Sequence, residues 1–299
     1  MKRKMFIYII SLLLLCFGVA TFIIFEQSNA TNNITMPNVT NEDEQENDEE
    51  NAENDSDENQ VEENEENGTE NFKDIISEAV ESTIDFFKRK ETNIVAIGDS
   101  LTQGVGDRTD RGGYVGIIEE QLNATDERVH FDNFGKRGNR TDQLITRLND
   151  ASIVDAIKKS DIVLITIGAN DIMQVAKENF TNLTFEPFSK ELVHYEERVK
   201  TILERIHEIN SNTEIYLIGF YNPFSQYFPE IEELDQIVDS WNATGQRLVE
   251  EHSNGTFIPT KDLFVGTEVN LFADDNFHPN EEGYELMAER VLEYLTEER

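Results

Sequence analysis

The sequence predicts an α/β domain in which a parallel sheet of five strands is covered by helices on both faces. Two observations predict this three-layer class. Short runs rich in β-branched residues, typical of strands buried on both faces, alternate with longer segments of helical periodicity. Strict alternation of this kind favours parallel strands joined by right-handed crossovers. The alternating part, from residue 93 onward, also has the length of one such domain.

The strands are short apolar segments bounded by turn-forming residues. In the first of them, Ile94, Val95, Ala96 and Ile97 form an uninterrupted apolar run that ends at Gly98. The predicted strands are residues 93–97, 129–133, 161–167, 214–220 and 256–258. Apolar residues at helical spacing predict the intervening helices at residues 113–122, 141–158, 190–210, 231–252 and 281–298. A further helix is predicted at residues 73–90, ahead of the first strand.

A hydrophobic segment opens the chain. Basic residues at positions 2–4 precede an uncharged run of 21 residues, 5–25, which is long enough to cross a bilayer as a helix. Because basic flanks stay in the cytoplasm, the rest of the chain is expected on the outer side. We therefore predict a membrane anchor at residues 1–25. A cleaved signal peptide is the alternative, since residues 28–30 resemble a cleavage site, and cleavage would make the protein secreted.

Residues 26–72 form an acidic segment without Lys or Arg. Such a composition buries too little apolar surface to offset the entropy of ordering, so we expect disorder. Repulsion between like charges favours extension, and we interpret the segment as a stalk that carries a folded domain at residues 73–299. The sole cysteine, Cys16, lies in the hydrophobic segment, so no disulfide is expected inside the folded domain.

The formal net charge of -36 at pH 7 limits the possible partners. The acidic excess continues beyond the stalk into the folded domain, which offers no basic patch for a phosphate backbone. Nucleic acid is therefore not expected as a partner.

Polar residues follow the predicted strands at one edge of the sheet. Ser100 comes directly after the first strand, Gly138 lies in the loop after the second, and Asn170 follows the third. An Asp-Asp-Asn-Phe-His-Pro stretch lies near the C-terminus at residues 274–279. Each stretch alone is compatible with an ordinary turn. Open α/β sheets, however, bind their ligands at the carboxyl ends of the strands, and Ser100 occupies a position suited to a nucleophile.

Together these stretches resemble the SGNH hydrolase superfamily, also called GDSL lipases and esterases. The resemblance covers residues 94–295 and includes four blocks in the family order. They are Gly-Asp-Ser-Leu at residues 98–101, the glycine block at Gly138, Gly-x-Asn-Asp at residues 168–171 and Asp-x-x-His-Pro at residues 275–279. The resemblance implies a flavodoxin-like three-layer fold. It also implies hydrolysis of esters, thioesters or acetylated sugars with no metal or other cofactor.

A serine hydroxyl attacks an ester carbonyl only when a base accepts its proton. We predict Ser100 as the nucleophile, His278 as the general base and Asp275 as the residue that fixes the imidazole tautomer. Asp274 also has suitable spacing, but the family pattern favours Asp275. The same spacing permits Asp274, Asp275 and His278 to ligate a metal, which would compete with the serine for the imidazole.

The resemblance assigns the oxyanion hole to the backbone N–H groups of Ser100 and Gly138 and to the side-chain amide of Asn170. This assignment is physically reasonable. Glycine lets the backbone approach a substrate closely, and asparagine donates a hydrogen bond without titrating.

Four further residues are predicted to bind substrate. Arg137 stands where many members of the family carry a small residue, and two more basic residues lie close by in the loop. These charges either recognise an anionic or hydroxylated substrate or are ordinary solvated loop charges. Tyr221, Phe224 and Phe277 are expected near the substrate, in an acyl pocket or on a sugar platform.

The leading hypothesis is an extracytoplasmic serine esterase or lipase that acts on acyl or acetyl esters in lipids or envelope polysaccharides. The aromatic loops favour an acyl lipid over the close alternative, a deacetylase of envelope glycans. A non-catalytic binding module on the same fold is the alternative from another class, although it has no need of the complete set of reactive residues. We expect a monomer that contacts the membrane through its N-terminal helix and binds a small-molecule, lipid or glycan ester.

Overall fold

The structure is a computed structural model that describes Phe87 and residues 91–124, 128–179, 181, 184–223, 232–266 and 269–296. The predicted anchor at residues 1–25, the stalk at residues 26–72, most of the helix at residues 73–90 and Phe224 lie outside the described residues. No helix in the described part of the chain combines the length and the apolar character needed to span a bilayer.

Five strands form one parallel sheet, as the alternation of elements predicts. They are β1 (Thr92–Gly98), β2 (Val129–Gly135), β3 (Ile162–Thr166), β4 (Glu214–Ile218) and β5 (Gly255–Ile258). Their order across the sheet is β2-β1-β3-β4-β5, with β1 paired to both β2 and β3. This is the flavodoxin-like order. In such sheets ligands bind at the carboxyl ends of the strands, between β1 and β3, where the strand order reverses.

Eight α-helices and one 3-10 helix connect or follow these strands in the described ranges. The α-helices are α1 (Ser100–Gln103), α2 (Gly113–Leu122), α3 (Thr141–Arg147), α4 (Ala151–Lys159), α5 (Ala169–Glu178), α6 (Phe185–Ile209), α7 (Glu232–Glu250) and α8 (Glu281–Thr296). The 3-10 helix spans Lys261–Phe264, after β5. Helix α2 has the predicted bounds.

The predicted helix at residues 141–158 is wrong in one respect, because the structure divides it into α3 and α4. Leu148 leaves helical geometry at the end of α3, and Asp150 is extended at the start of α4. Asn149 and Asp150 are residue types that favour turns and caps over helix interiors, which explains the break. Helices α1 and α5 were not predicted. Each directly follows a strand-ending turn, and α1 is only four residues long.

The sheet separates two hydrophobic clusters. Along β1, Val95 and Ile97 point into one cluster, whereas Ile94 and Ala96 point into the other, as the period of two in a strand requires. Helix α8 contributes a buried stripe to the second cluster through Tyr284, Met287, Ala288, Val291 and Leu292. Each large aliphatic side chain buried in this way stabilises the fold by about 1.5 to 3 kcal/mol. The two clusters together hold the carboxyl ends of the strands in fixed positions.

Candidate active site

Ser100 begins α1 at the carboxyl end of β1. A side chain at Gly98 would place a Cβ atom 2.1 Å from the Thr166 carbonyl oxygen, so only glycine allows β1 and β3 to approach this closely. The Asp99 carboxylate caps α1 by accepting the Leu101 N–H at 3.0 Å. These constraints leave Ser100 as the first residue of a helix, where its backbone N–H has no acceptor within the helix.

His278 lies close to Ser100 although 178 positions separate them in the sequence. The His278 Nε2 atom is 2.8 Å from the Ser100 Oγ atom, and the His278 Nδ1 atom is 2.5 Å from the Asp275 Oδ2 atom. An ionised carboxylate only accepts hydrogen bonds, so Nδ1 carries the proton and Nε2 is left to accept from the Ser100 hydroxyl. Both Ser100 and His278 are only 3% exposed.

Asp275 also organises the loop that carries His278. Its Oδ1 atom accepts the backbone N–H groups of Phe277 at 3.1 Å and His278 at 2.9 Å. Burial raises the pKa of the Asp275 carboxyl, but the hydrogen bond and charge of His278 and these two N–H groups outweigh it and hold the pKa at about 2. Asp275 is therefore ionised at neutral pH.

Asp274 lies outside this hydrogen-bonded chain. Its side chain is 96% exposed and lies 4.0 Å from Arg108 on the surface. The structure therefore brings Asp275, the residue favoured by the family pattern, to the histidine. In the part of the chain that the structure describes, no group of three or more histidine, cysteine, aspartate or glutamate residues is arranged to hold a metal ion.

Asp99 is a second carboxylate at the site, and it is only 2% exposed. It accepts the Thr166 hydroxyl at 2.9 Å, and Thr166 bonds in turn to the Thr102 hydroxyl at 2.7 Å. Burial raises the pKa of Asp99 to about 6, although hydrogen bonds from Leu101 and Thr166 oppose the shift. The two carboxylates beside the site are thus shifted in opposite directions.

The Gly138 loop joins β2 to α3 and is bonded to the end of β1. The Lys136 N–H donates to the Gly98 carbonyl at 3.1 Å. Gly138 has φ +75°, and a Cβ atom there would point into open space, so the need for glycine is conformational. Gly138 is exposed, and its N–H has no acceptor among the described residues. It is available to donate to a ligand.

Asn170 is the second residue of α5 and is half-buried. Its Nδ2 atom donates one hydrogen bond to the Asn139 carbonyl at 3.1 Å. Because an amide nitrogen carries two donor hydrogens, one remains for a ligand. Asn170 and Ser100 line the same pocket.

A buried ionic cluster lies behind these two segments. The Asp171 carboxylate accepts the Thr141 N–H at 3.1 Å and the Thr141 hydroxyl at 2.6 Å, and Arg198 bonds to both residues. Thr141 is the first residue of α3, and Arg140 occupies the cap position before it. The cluster connects the start of α3 to the start of α5.

The pocket beside Ser100 is mostly apolar. It encloses about 640 Å³ of space, including the part open to solvent. Two helices supply most of its aliphatic wall, through Ile172 and Met173 of α5 and Leu234, Ile237 and Val238 of α7. Sequence reasoning missed these five residues. Their helical spacing is the same as that of core residues, so no pattern distinguishes a pocket wall from a packed interior.

The residues predicted to bind substrate have different environments. Tyr221 and Phe277 line the pocket. Tyr221 is only 6% exposed, and its hydroxyl donates to the Phe277 carbonyl at 2.9 Å, so it also supports the His278 loop. Arg137 is exposed on the Gly138 loop, where its N–H donates to the Gln103 side chain at 2.6 Å. Phe224 lies outside the described residues.

Comparison with known proteins identifies the family of this chain. The chain matches the GDSL-like lipase/acylhydrolase family over residues 96–286. It is 35% identical over 209 residues to YpmR of Bacillus subtilis (strain 168), which covers 69% of this chain and 82% of YpmR. It is 32% identical over 208 residues to the spore germination lipase LipC of Bacillus licheniformis, which covers 66% of this chain and 92% of LipC.

Among solved structures, the lipase Lip_vut3 from a goat rumen metagenome is similar, with a TM-score of 0.60 and 29% sequence identity. The match covers 67% of this chain and 95% of the lipase. The chain therefore belongs to the GDSL-like lipase/acylhydrolase family, within the SGNH hydrolases, and is a carboxylic ester hydrolase.

Proposed function

We propose that this protein is a membrane-anchored, extracytoplasmic serine esterase that cleaves acyl esters with Ser100 as its nucleophile. The observation that carries the proposal is the hydrogen-bonded chain from Asp275 through His278 to Ser100, which ends in an apolar pocket. A base bonded to a hydroxyl at 2.8 Å is within the distance required for proton transfer.

In this mechanism the Ser100 oxygen attacks the ester carbonyl carbon while His278 Nε2 takes the hydroxyl proton. The carbonyl oxygen becomes an oxyanion that accepts hydrogen bonds from the N–H groups of Ser100 and Gly138 and from the Asn170 amide. His278 then protonates the leaving alcohol oxygen, and an acyl-serine remains. A water molecule, deprotonated by His278, attacks the acyl-serine and releases the carboxylic acid and the free serine.

Asp275 acts through His278. Its carboxylate keeps the Nδ1 proton in place and stabilises the imidazolium that forms when Ser100 attacks. The low pKa of the Asp275 carboxyl, about 2, supports this role because the group keeps its negative charge at the pH where the imidazole must change charge.

The pocket wall supports an acyl chain as the part of the substrate that enters. Ile172, Met173 and Val238 present aliphatic surface beside Ser100, and Phe277 closes the wall next to His278. An alkyl chain gains about 0.8 kcal/mol for each methylene that it buries on such a surface. LipC and Lip_vut3 are both named as lipases, which agrees with an acyl ester in this relative of theirs.

The alcohol part of the substrate is proposed to be anionic. Lys136 and Arg137 directly precede Gly138, are exposed, and have no ion-pair partner among the described residues. Two free cations at the site of an otherwise acidic chain favour a phosphate or carboxylate on the leaving alcohol. The K136Q/R137Q variant should lose more activity on lysophosphatidylglycerol, whose leaving alcohol has a net negative charge, than on lysophosphatidylcholine, in which the choline cation neutralises the phosphate. Lys159→Gln, an exposed lysine at the end of α4, serves as the control.

The N-terminal part of the chain supports the proposed location. The apolar segment at residues 5–25 would anchor the protein, and the acidic segment at residues 26–72 would separate the hydrolase domain from an anionic membrane surface. Externally added protease should remove the domain from intact cells while the anchor stays in the membrane fraction. Free domain in the medium that begins near residue 31 would instead indicate a cleaved signal peptide.

Hydrolysis of p-nitrophenyl acetate, butyrate, octanoate and palmitate by the full-length protein tests the function, with Ser100→Ala measured in parallel. We expect kcat/KM to rise from acetate to the longer chains and to vanish in Ser100→Ala. Activity confined to acetate would support a deacetylase of envelope glycans. Undiminished activity in Ser100→Ala, or no hydrolysis of any ester, would contradict the proposal, and the second outcome would favour a binding module.

A further inference from the structure

Arg147, the last residue of α3, joins three segments of the candidate active site. Its Nη1 atom donates to the Gly98 carbonyl at 3.3 Å and to Asn139 Oδ1 at 2.9 Å. Its Nη2 atom donates to the Phe134 carbonyl at 2.6 Å. Gly98 lies just before the nucleophile turn, Phe134 lies near the end of β2, and Asn139 follows Gly138. One planar guanidinium therefore connects the end of β1, the end of β2 and the Gly138 loop.

The environment of Arg147 differs from that of an ordinary surface arginine. It is half-buried, and its guanidinium bonds to two backbone carbonyls and one side-chain amide rather than to a carboxylate. Burial lowers the pKa of Arg147, but an arginine keeps its charge at neutral pH. A cation held by oxygen atoms from three segments, with no ion pair among the described residues, is suited to fixing their relative positions.

Asn139 extends this connection to the third strand end. It is 2% exposed, and its side-chain oxygen is occupied by Arg147. Its backbone carbonyl accepts the hydrogen bond from Asn170 Nδ2 at 3.1 Å. A continuous hydrogen-bonded path therefore runs from Gly98 through Arg147 and Asn139 to Asn170.

We propose that Arg147 is a positioning residue, which holds the Gly138 N–H and the Asn170 amide at the distances from Ser100 that the oxyanion requires. The inference rests on the proposed function, in which these three groups stabilise the oxyanion. Preorganised donors contribute most when they need no rearrangement during the reaction, and a displacement of an ångström weakens them strongly.

The sheet itself does not depend on Arg147. The parallel ladder between β1 and β2 already pairs Gly98 with Gly135 and fixes the register of the strand ends. Arg147 adds the attachment of Asn139 to these ends. Its removal should therefore loosen Gly138 and Asn139, while the bond from the Lys136 N–H to the Gly98 carbonyl and the strands stay in place.

The test compares Arg147→Ala with the wild type in the full-length protein, using p-nitrophenyl butyrate. We expect kcat to fall about tenfold to a hundredfold with little change in KM, somewhat less than the loss of a whole oxyanion donor. Millimolar guanidinium chloride, far below denaturing concentrations, should restore part of kcat by occupying the vacated position.

Arg290→Ala is the matched control. Arg290 bonds to the Pro259 carbonyl at 2.7 Å and to Asp262, and its variant should show neither loss nor rescue.

A double variant separates a positioning role from a merely structural one. If Arg147 acts through the oxyanion donors, the loss in R147A/N170A must be smaller than the product of the two single losses. Arg147→Lys, which lacks the planar fork, should show the same kcat loss and the same coupling to Asn170→Ala, and it decides the question if Arg147→Ala fails to fold. Multiplicative losses, or a loss confined to KM, would overturn the inference.

The proposed function and this inference fail in distinguishable ways. Full activity of Ser100→Ala would remove the proposed function. Loss of activity in Ser100→Ala and Asn170→Ala together with a fully active Arg147→Ala would leave the proposed function intact and overturn only the role of Arg147.

Discussion

The acid–base half of the site is held by direct contacts between its own side chains, whereas the oxyanion half is held by residues around it. Ser100, His278 and Asp275 bond to one another at 2.8 and 2.5 Å. The Asn170 amide and the Gly138 loop are instead positioned through Asn139 and its neighbours. The first half therefore depends on the identity of three side chains, and the second depends on where the backbone is placed. Variants should separate the two halves by the size of their effect and by their dependence on neighbouring residues.

The largest effect is expected in the acid–base half, from His278→Ala. Without the base, Ser100 is a neutral hydroxyl, and kcat should fall roughly 10⁴- to 10⁶-fold. Hydrolysis of p-nitrophenyl butyrate measures the loss. His194→Ala, at an exposed position on α6, should behave as the wild type. A loss of less than tenfold in His278→Ala would remove this histidine from the mechanism.

The next effect is expected from Asp275→Asn, which keeps the shape of the side chain but removes its charge. The imidazole then adopts the wrong tautomer, and kcat should fall about 10³- to 10⁴-fold. Asp274→Asn is the matched control, since its side chain is 96% exposed and does not reach the histidine. Equal losses in the two variants would contradict the assignment of Asp275.

A smaller effect is expected in the oxyanion half, from Asn170→Ala. Loss of one donor should lower kcat about 10²- to 10³-fold, equivalent to about 2.7 to 4 kcal/mol, with KM nearly unchanged. Asn179→Ala, at the other end of α5, provides the comparison. A rise in KM at constant kcat would show that Asn170 binds the ground state and does not stabilise the oxyanion.

The smallest effect is a change in the free energy of unfolding, and it comes from Asp99. The pKa of Asp99 rises from 3.8 to about 6 on folding because the group is buried. Between these pH values the unfolded chain releases the proton that the folded chain retains, so stability falls as pH rises and the penalty is complete above about pH 6. Asp99→Asn keeps an acceptor for Leu101 and Thr166 but cannot ionise.

Asp99→Asn should therefore raise the free energy of unfolding by about 1 to 3 kcal/mol at pH 7, and the gain should disappear as pH falls toward 4. Urea unfolding at several pH values measures this difference. Asp275 should have the opposite sign. Its pKa is about 2 when folded, so its stabilisation is present above pH 3.8 and is lost as pH falls toward 2. A pH-independent gain in Asp99→Asn would mean that the pKa of Asp99 is the same in the folded and the unfolded protein.

The contrast between side-chain identity and backbone placement also explains which features the sequence predicts. The parallel five-stranded sheet follows from apolar runs such as residues 94–97, because burial on both faces leaves a composition that is visible in the chain. Ser100 and Asn170 were identifiable because the four blocks contain reactive residue types at family spacing. Arg147 was not identifiable, because its partners are mostly backbone carbonyls, which every residue has.

The aliphatic wall of the pocket also could not be predicted from the sequence. Ile172 of α5 and Ile237 of α7 have the spacing of core residues, and only the positions of the two helices place them beside Ser100. The break between α3 and α4 was missed because the apolar periodicity continues through Leu148, which remains buried. The pocket wall and the helix break depend on contacts between distant segments, so the local sequence pattern could not predict them.

The central claim is that Ser100 is a nucleophile activated by His278. Covalent labelling with a fluorophosphonate, followed by mass spectrometry of the digested protein, tests it directly, because the reagent phosphonylates an activated serine. We expect a single adduct on Ser100 in the wild type, and no adduct in His278→Ala under the same conditions. An adduct on another residue, or equal labelling of the wild type and Ser100→Ala, would contradict it.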